Sequence, residues 1–98
     1  MRQNTRDCLA ALKRGKAYRA GSGAIHTDGR IIYSYGQTVA APDPADPKTY
    51  LVTNKRWSQT TTVQTNGIAV GLLADGFKVR RVDQDEVNRA EVVRILNS

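Results

Sequence analysis

The first hydrophobic positions of the chain follow the period of an α-helix. Cys8 and the leucines after it outline a narrow apolar face, which predicts a helix over residues 4–14. Asn4 or Thr5 is suited to cap its amino end, because their side-chain oxygens accept hydrogen bonds from free amide groups. Gly15 stands where a helix commonly ends in a left-handed conformation.

Apolar and polar residues then alternate, as they do along β-strands. Two β-prone runs, at about 23–27 and 30–40, flank Asp28 and Gly29, a dipeptide typical of tight hairpins. Gly36 is expected to bend the second strand. The pattern therefore predicts a pair of antiparallel strands in this part of the chain.

Three prolines lie close together, at positions 42, 44 and 47. Because proline lacks the amide donor that a strand or helix interior requires, this segment is predicted to be a surface loop. A third strand is expected directly after it, over residues 49–53.

Residues 60–74 fit two interpretations. The threonines at 60–62 favour a strand by propensity, whereas the apolar spacing from Val63 to Leu73 fits a helix. The length of the segment and the stop signal at Asp75 and Gly76 favour a helix over about 62–74.

The last part of the chain contains one more strand and one more helix. Alternation over 77–82 predicts the strand, and the pattern over 84–96 predicts the helix. Asp83 is expected to cap this helix, with Glu86 three residues later completing a capping box.

These elements give the order α-β-β-β-α-β-α. A chain of 98 residues is the size of one small domain, so residues 1–98 are interpreted as a single domain. The predicted fold class is α+β, with an antiparallel sheet of about four strands and two or three helices gathered on one side.

Composition excludes several classes of protein. One cysteine and one histidine rule out an intramolecular disulfide and a structural zinc finger, and no cofactor or metal is predicted. No apolar run approaches the roughly 20 residues that span a bilayer, and no convincing signal peptide opens the chain. No membrane partner is expected, and the expected location is the cytoplasm.

The net charge of +6 is unevenly distributed. Residues 1–30 carry +5, residues 31–77 carry zero and residues 78–98 carry +1. A basic surface can bind nucleic acid or an acidic protein, and it can also serve solubility alone. The predicted contact residues of the amino-terminal part are Arg6, Lys13, Arg14, Lys16 and Arg19. A second basic cluster contains Lys78, Arg80 and Arg81, of which Lys78 and Arg80 are predicted contact residues.

Cys8, His26 and Asp28 are residue types found in thiol-nucleophile enzymes. Such a site requires the cysteine and the histidine within hydrogen-bond reach of each other. Cys8 instead belongs to the apolar side of the first helix, and turn chemistry alone explains Asp28. No catalytic residues are therefore assigned, and the protein is not expected to be an enzyme.

The segment from Lys55 to Thr62 is the most specific candidate for a binding site. If a helix starts here, its free amide groups, the threonine hydroxyls and the cations Lys55 and Arg56 would form an anion site. Trp57 could stack on a nucleic-acid base. The alternative is that Trp57 is a core residue and the threonines are caps or strand residues.

The same region carries a family resemblance. The run Tyr33-Ser34-Tyr35 with Val39-Ala40, and the later Asn54-Lys55-Arg56-Trp57-Ser58-Gln59-Thr60-Thr61, resemble small phage-encoded proteins of unknown function. Their pattern has a Tyr-Ser-Tyr strand and an Asn-x-x-Tyr-Ser-x-Thr-Thr segment that opens a helix. Trp57 replaces the usual tyrosine, and Val63-Gln64 replaces a His-Gln pair. The resemblance implies an origin in a phage or mobile element.

Small size, the phage-like motif and the lack of a catalytic constellation together predict a non-enzymatic binding protein. It would occupy a host protein or protein–nucleic-acid complex, as inhibitors of host defence such as anti-CRISPR proteins do. The alternatives are a basic nucleic-acid-binding accessory or regulatory protein and a small enzyme.

Overall fold

A computed structural model describes residues 3–21, 24–56 and 59–96, except for the side chains of residues 59–61, 94 and 95. The described chain forms three helices and six strands. The helices are α1 (Gln3–Lys13), α2 (Gln59–Ala74) and α3 (Gln84–Leu96). The strands are β1 (Tyr18–Arg19), β2 (Ile25–Thr27), β3 (Ile32–Ser34), β4 (Gln37–Asp43), β5 (Asp46–Thr53) and β6 (Lys78–Val82).

The six strands form one mixed sheet in the order β1-β2-β3-β4-β5-β6. Strands β1 to β5 pair antiparallel in succession, whereas β6 pairs parallel with β5. The prediction of an α+β domain is confirmed, but the predicted four strands and purely antiparallel pairing are wrong. Parallel neighbours need a long crossover, and α2 supplies it between β5 and β6.

The predicted strand over 30–40 is in fact a hairpin. Tyr35 and Gly36 both have positive φ, at 50° and 82°, and Ser34 pairs with Gln37 across them. Two consecutive residues with positive φ are the signature of a tight two-residue hairpin turn. The chain therefore reverses at Gly36, where only a bend was expected.

The proline-rich segment is part of the sheet and not a loop. Pro42 lies in β4 and Pro47 in β5, and the hairpin turns at Pro44 and Ala45. A proline in a strand costs nothing where no neighbour needs its amide group. On β4 the pairing with β3 ends at Ala40, and on β5 the pairing with β6 begins only at Thr49. Both prolines thus lie beyond the end of one neighbouring strand.

Helices cover both faces of the sheet, contrary to the expectation that they gather on one side. Helices α1 and α2 pack on one face, in a core cluster that contains Leu9, Ile68 and Val52. Helix α3 packs on the other face, in a cluster that contains Leu51 and Val87. Because side chains alternate along a strand, the neighbouring residues Leu51 and Val52 of β5 are buried on opposite faces of the sheet.

The helix ends agree with the sequence in part. Helix α1 begins at Gln3, so Asn4 and Thr5 lie within its first turn and do not cap it, while Gly15 has the expected positive φ of 67°. Helix α2 confirms the helical interpretation but starts at Gln59. The Asp83 carboxylate accepts a hydrogen bond from the Glu86 amide at 2.8 Å, which confirms this half of the predicted capping box.

The turn between β2 and β3 packs closely against the end of α1. Gly29 has φ +103°, and a Cβ atom built there would lie 2.7 Å from the carbonyl oxygen of Gly15. The turn itself is held by the Asp28 carboxylate, which accepts hydrogen bonds from the amides of Arg30 and Ile31. Only glycine satisfies both the backbone conformation and the close approach.

We expect Gly29→Ala to lower the free energy of unfolding by about 2 kcal/mol or more, because conformational strain adds to a backbone clash. Gly36→Ala is the matched control, since Gly36 also has positive φ but a Cβ there meets open space. The control should lose only about 1 kcal/mol. Urea denaturation measures both; equal losses would contradict the role given to the contact with Gly15.

Candidate anion-binding site

A polar pocket of about 270 Å³ lies at the carboxyl ends of the parallel strands β5 and β6. In open sheets with parallel strands, ligands commonly bind in the crevice outside these strand ends. Residues from the end of β5, from β6 and from the first half of α2 contribute to it. The pocket is lined by Asn54, Lys55, Arg56, Thr62, Thr65, Asn66 and Arg81.

Arg81 is the best-positioned cation of this pocket. Its Nη1 donates to Asn66 Oδ1 at 3.1 Å, and its Nη2 donates to the carbonyl oxygen of Thr53 at 3.0 Å. Both acceptors are uncharged, so these bonds orient the guanidinium without neutralising it. A guanidinium held in this way is suited to bind a phosphate or carboxylate group.

The segment that carries Lys55 and Arg56 is anchored through its backbone. The Asn54 amide donates to the carbonyl oxygen of Val82 at 2.8 Å, and the Lys55 amide donates to Thr53 Oγ1 at 3.1 Å. Lys55 and Arg56 are both exposed. The described lining residues include three cations, Lys55, Arg56 and Arg81, and no carboxylate. The pocket is therefore electropositive.

The second predicted basic cluster is divided between the two faces of the sheet. Arg80 points to the α3 side, where it forms ion pairs with Asp43 at 3.1 Å and Glu86 at 3.2 Å. Arg81, the next residue, points to the α2 side and lines the pocket. The sequence prediction named Arg80 as a contact residue and omitted Arg81, because strand alternation alone does not say which face α2 would cover.

The predicted amino-terminal contact residues do not join this pocket. Lys13 and Arg14 line a separate pocket of about 310 Å³ together with Arg30. This second pocket includes Pro47 and Phe77, which lie near the opposite ends of β5 and β6 from Arg81. Arg6, Lys16 and Arg19 are exposed on α1, on the connection after it and on β1. Lys78 is exposed at the start of β6.

Trp57, predicted to stack on a base, lies outside the described residues, as does Ser58. The threonines at 60 and 61 are inside α2, but their side chains are not described. Thr62 and Thr65 line the pocket, and the Thr65 hydroxyl donates to the carbonyl oxygen of Thr62 at 3.0 Å.

Cys8 and His26 do not form a nucleophilic pair. Cys8 is fully buried in the core between the helices α1 and α2 and the sheet, and burial raises the pKa of its thiol to about 12. His26 stacks on Tyr33, whose ring packs against the cluster on the opposite face. The sheet therefore separates the two side chains.

The amino-acid sequence matches the model of a known protein family over residues 9–86. The chain belongs to the family of unknown function DUF8033. The DUF8033 match begins within α1 and ends in the first turn of α3, so it includes every residue that lines the pocket. No curated protein and no solved structure matches the chain significantly.

Two further observations concern this DUF8033 chain. Within residues 3–21, 24–56 and 59–96, no group of three or more potential metal-ligating His, Cys, Asp and Glu side chains occurs. No helix of the described residues is long and apolar enough to span a bilayer. The predicted phage origin and the predicted role as an inhibitor of a host defence complex stay predictions.

His26 makes the stability of the domain sensitive to pH. Burial lowers the pKa of His26, and the nearby positive charge of Arg19 lowers it further, against an opposing effect of Asp28. The unfolded chain therefore takes up a proton more readily than the folded one. We expect the free energy of unfolding to fall as the pH drops from 7 through 6.5, the ordinary pKa of histidine.

The chain contains a single histidine, so His26→Phe tests this directly. Phenylalanine keeps an aromatic ring beside Tyr33 but does not titrate. Urea denaturation between pH 7.5 and pH 5.5 should show a smaller pH dependence for the variant than for the natural chain. An identical slope in both would show that His26 is not the group responsible.

Proposed function

We propose that this DUF8033 protein is a non-enzymatic binding protein that holds a backbone phosphate of a nucleic-acid strand in the pocket of Lys55, Arg56 and Arg81. The observation that carries the proposal is Arg81, which two uncharged acceptors hold in place in a pocket whose described lining residues include no carboxylate. Phosphate contacts of this kind supply affinity without reading sequence.

A phosphate group suits this pocket better than a carboxylate group of an acidic protein does. Three cationic side chains line one concave site, and the side chains of Asn54, Asn66 and Thr62 add neutral hydrogen-bonding groups to it. A phosphate offers several acceptor oxygens to the cations, whereas each carboxylate of an acidic protein offers two. An acidic protein partner remains the competing ligand of the test below.

A nucleic-acid strand, which carries many phosphates, could contact both basic regions of the surface, whereas a single phosphate could contact only one. Lys13, Arg14 and Arg30 line a second basic region near the opposite ends of β5 and β6, where Lys13 also approaches Asp75 at 4.0 Å. Strand β5 has eight residues and is roughly 26 Å long, so one phosphate cannot reach both regions, whereas a strand of several nucleotides can. The net charge of +6 favours encounter with such a polyanion through long-range attraction.

We expect Arg81→Gln to weaken the binding of a fluorescently labelled single-stranded oligonucleotide about tenfold, measured by anisotropy at low salt. The slope of log affinity against log salt should also decrease by about 0.7, because one fewer phosphate is neutralised. Arg89→Gln is the matched control, since it removes the same type of side chain from an exposed position on α3, outside the pocket. Its effect should stay below about twofold.

Arg81→Gln also removes contacts within the protein, so a second variant is needed. Replacing both Lys55 and Arg56 by Gln leaves the two hydrogen bonds of Arg81 in place and should weaken binding at least as much. Equal effects of Arg81→Gln and Arg89→Gln would contradict the pocket, and no binding at low salt would contradict nucleic acid as the ligand. Stronger binding of an acidic peptide than of the oligonucleotide would assign the basic surface to a protein partner.

A further inference from the structure

The outer face of α2 is apolar and exposed. Val63, Val70 and Leu73 are 47%, 62% and 57% exposed. Ile68 and Leu72, on the opposite side of the same helix, are buried against the sheet and α1. A helix with apolar residues on all sides is usually buried on all sides. Helix α2 has apolar residues on its outer face as well, and we therefore expect another surface to pack against that face.

This face is also free of charge. No Lys, Arg, Asp or Glu occurs between residues 57 and 74, in a chain where these types make up 24% of residues. A protein with a net charge of +6 repels a second copy of itself over most of its surface. An uncharged helix face is the region where two copies can approach without like-charge repulsion.

The spacing along this face is self-complementary. Val63, Gly67, Val70 and Ala74 follow one another at intervals of four, three and four residues, the spacing of a coiled-coil seam. Large and small side chains alternate along it. When two copies of this ridge run antiparallel about an axis between Gly67 and Val70, each large side chain meets a small one.

We propose that two copies of this chain associate through an antiparallel pair of α2 helices. Val63 of one copy packs on Ala74 of the partner subunit, and Val70 packs on Gly67 of the partner subunit. Gly67 lets the two helix backbones approach closely at the centre of the seam. Leu73 and the polar side chains of Asn66 and Thr62 border it, as polar rims border other interfaces.

The expected dimer is weak. A 16-residue helix is about 24 Å long, and one helix face buries less than the roughly 800 Å² per partner of a typical stable complex. The association should therefore appear at tens of micromolar and reverse on dilution. The seam adjoins the anion pocket at Thr62 and Asn66, but Val63 and Val70 do not line the pocket, so the seam variants leave its lining residues unchanged.

Sedimentation velocity over a concentration series tests the association. The natural chain should show a concentration-dependent shift from monomer to dimer, and Val70→Glu should raise the dissociation constant at least about tenfold, because it places like charges in the seam. Val92→Glu is the matched control, since Val92 is 52% exposed on a different helix and should leave the dimer unchanged. Val63→Glu provides a second seam variant if Val70→Glu does not fold.

Cross-linking tests the orientation. In a Cys8→Ala background, a Val63→Cys chain and a tagged Ala74→Cys chain are mixed with a short thiol cross-linker. The antiparallel seam predicts that the mixed product exceeds both same-chain products. A monomer at all concentrations, a dimer insensitive to both seam variants, or an excess of Val63→Cys self-linked product would each overturn the proposal.

Discussion

The parallel pairing of β5 with β6 is the constraint on which the rest of the structure depends. Every residue from Thr49 to Thr53 has a partner in β6, and the same strand pairs antiparallel with β4 on its other side. Burial of Leu51 on one face and Val52 on the other then requires helices on both faces. The crossover helix α2 covers one face and leads into β6, and α3 returns over the other. The anion pocket forms where this crossover leaves the carboxyl end of β5.

Local features of the sequence predict local structure well in this chain. The cap at Asp83, the hairpin at Asp28 and Gly29 and the stop at Gly15 all depend on residues close together in sequence. The structure contains the cap and the stop, and it contains the hairpin with a connection of four residues, 28–31, in place of two. Length and a stop signal favour a helix over residues 62–74 although its threonines have β-propensity, and α2 contains this range but begins three residues earlier, at Gln59. These features require no knowledge of which elements later pack together.

The incorrect predictions concern long-range packing. The sequence predicts a loop at Pro42 and Pro47, but both lie in strands. Pro42 extends beyond the end of β3 and Pro47 lies before the start of β6, so neither proline has to donate a hydrogen bond to that neighbour. The apolar pattern of α3 is weak and does not indicate which face of the sheet the helix covers. That face follows from β5, whose Leu51 and Val52 are buried on opposite faces, so that each face needs a helix. The same ambiguity affected the site. The sequence alone predicts Lys55 and Arg56 as contact residues, and both line the pocket, but the choice between Arg80 and Arg81 depends on the face to which α2 returns.

The position of β6 at the end of the strand order also affects how the protein behaves at high concentration. An edge strand offers unpaired backbone groups to any other strand, and this is a common route to aggregation. Here the edge carries Lys78 and Arg81, together with Arg80, which is paired with Asp43 and Glu86. The remaining positive charge on two such edges opposes their pairing. Positive charge on β6 therefore disfavours the addition of another basic strand at this edge of the sheet.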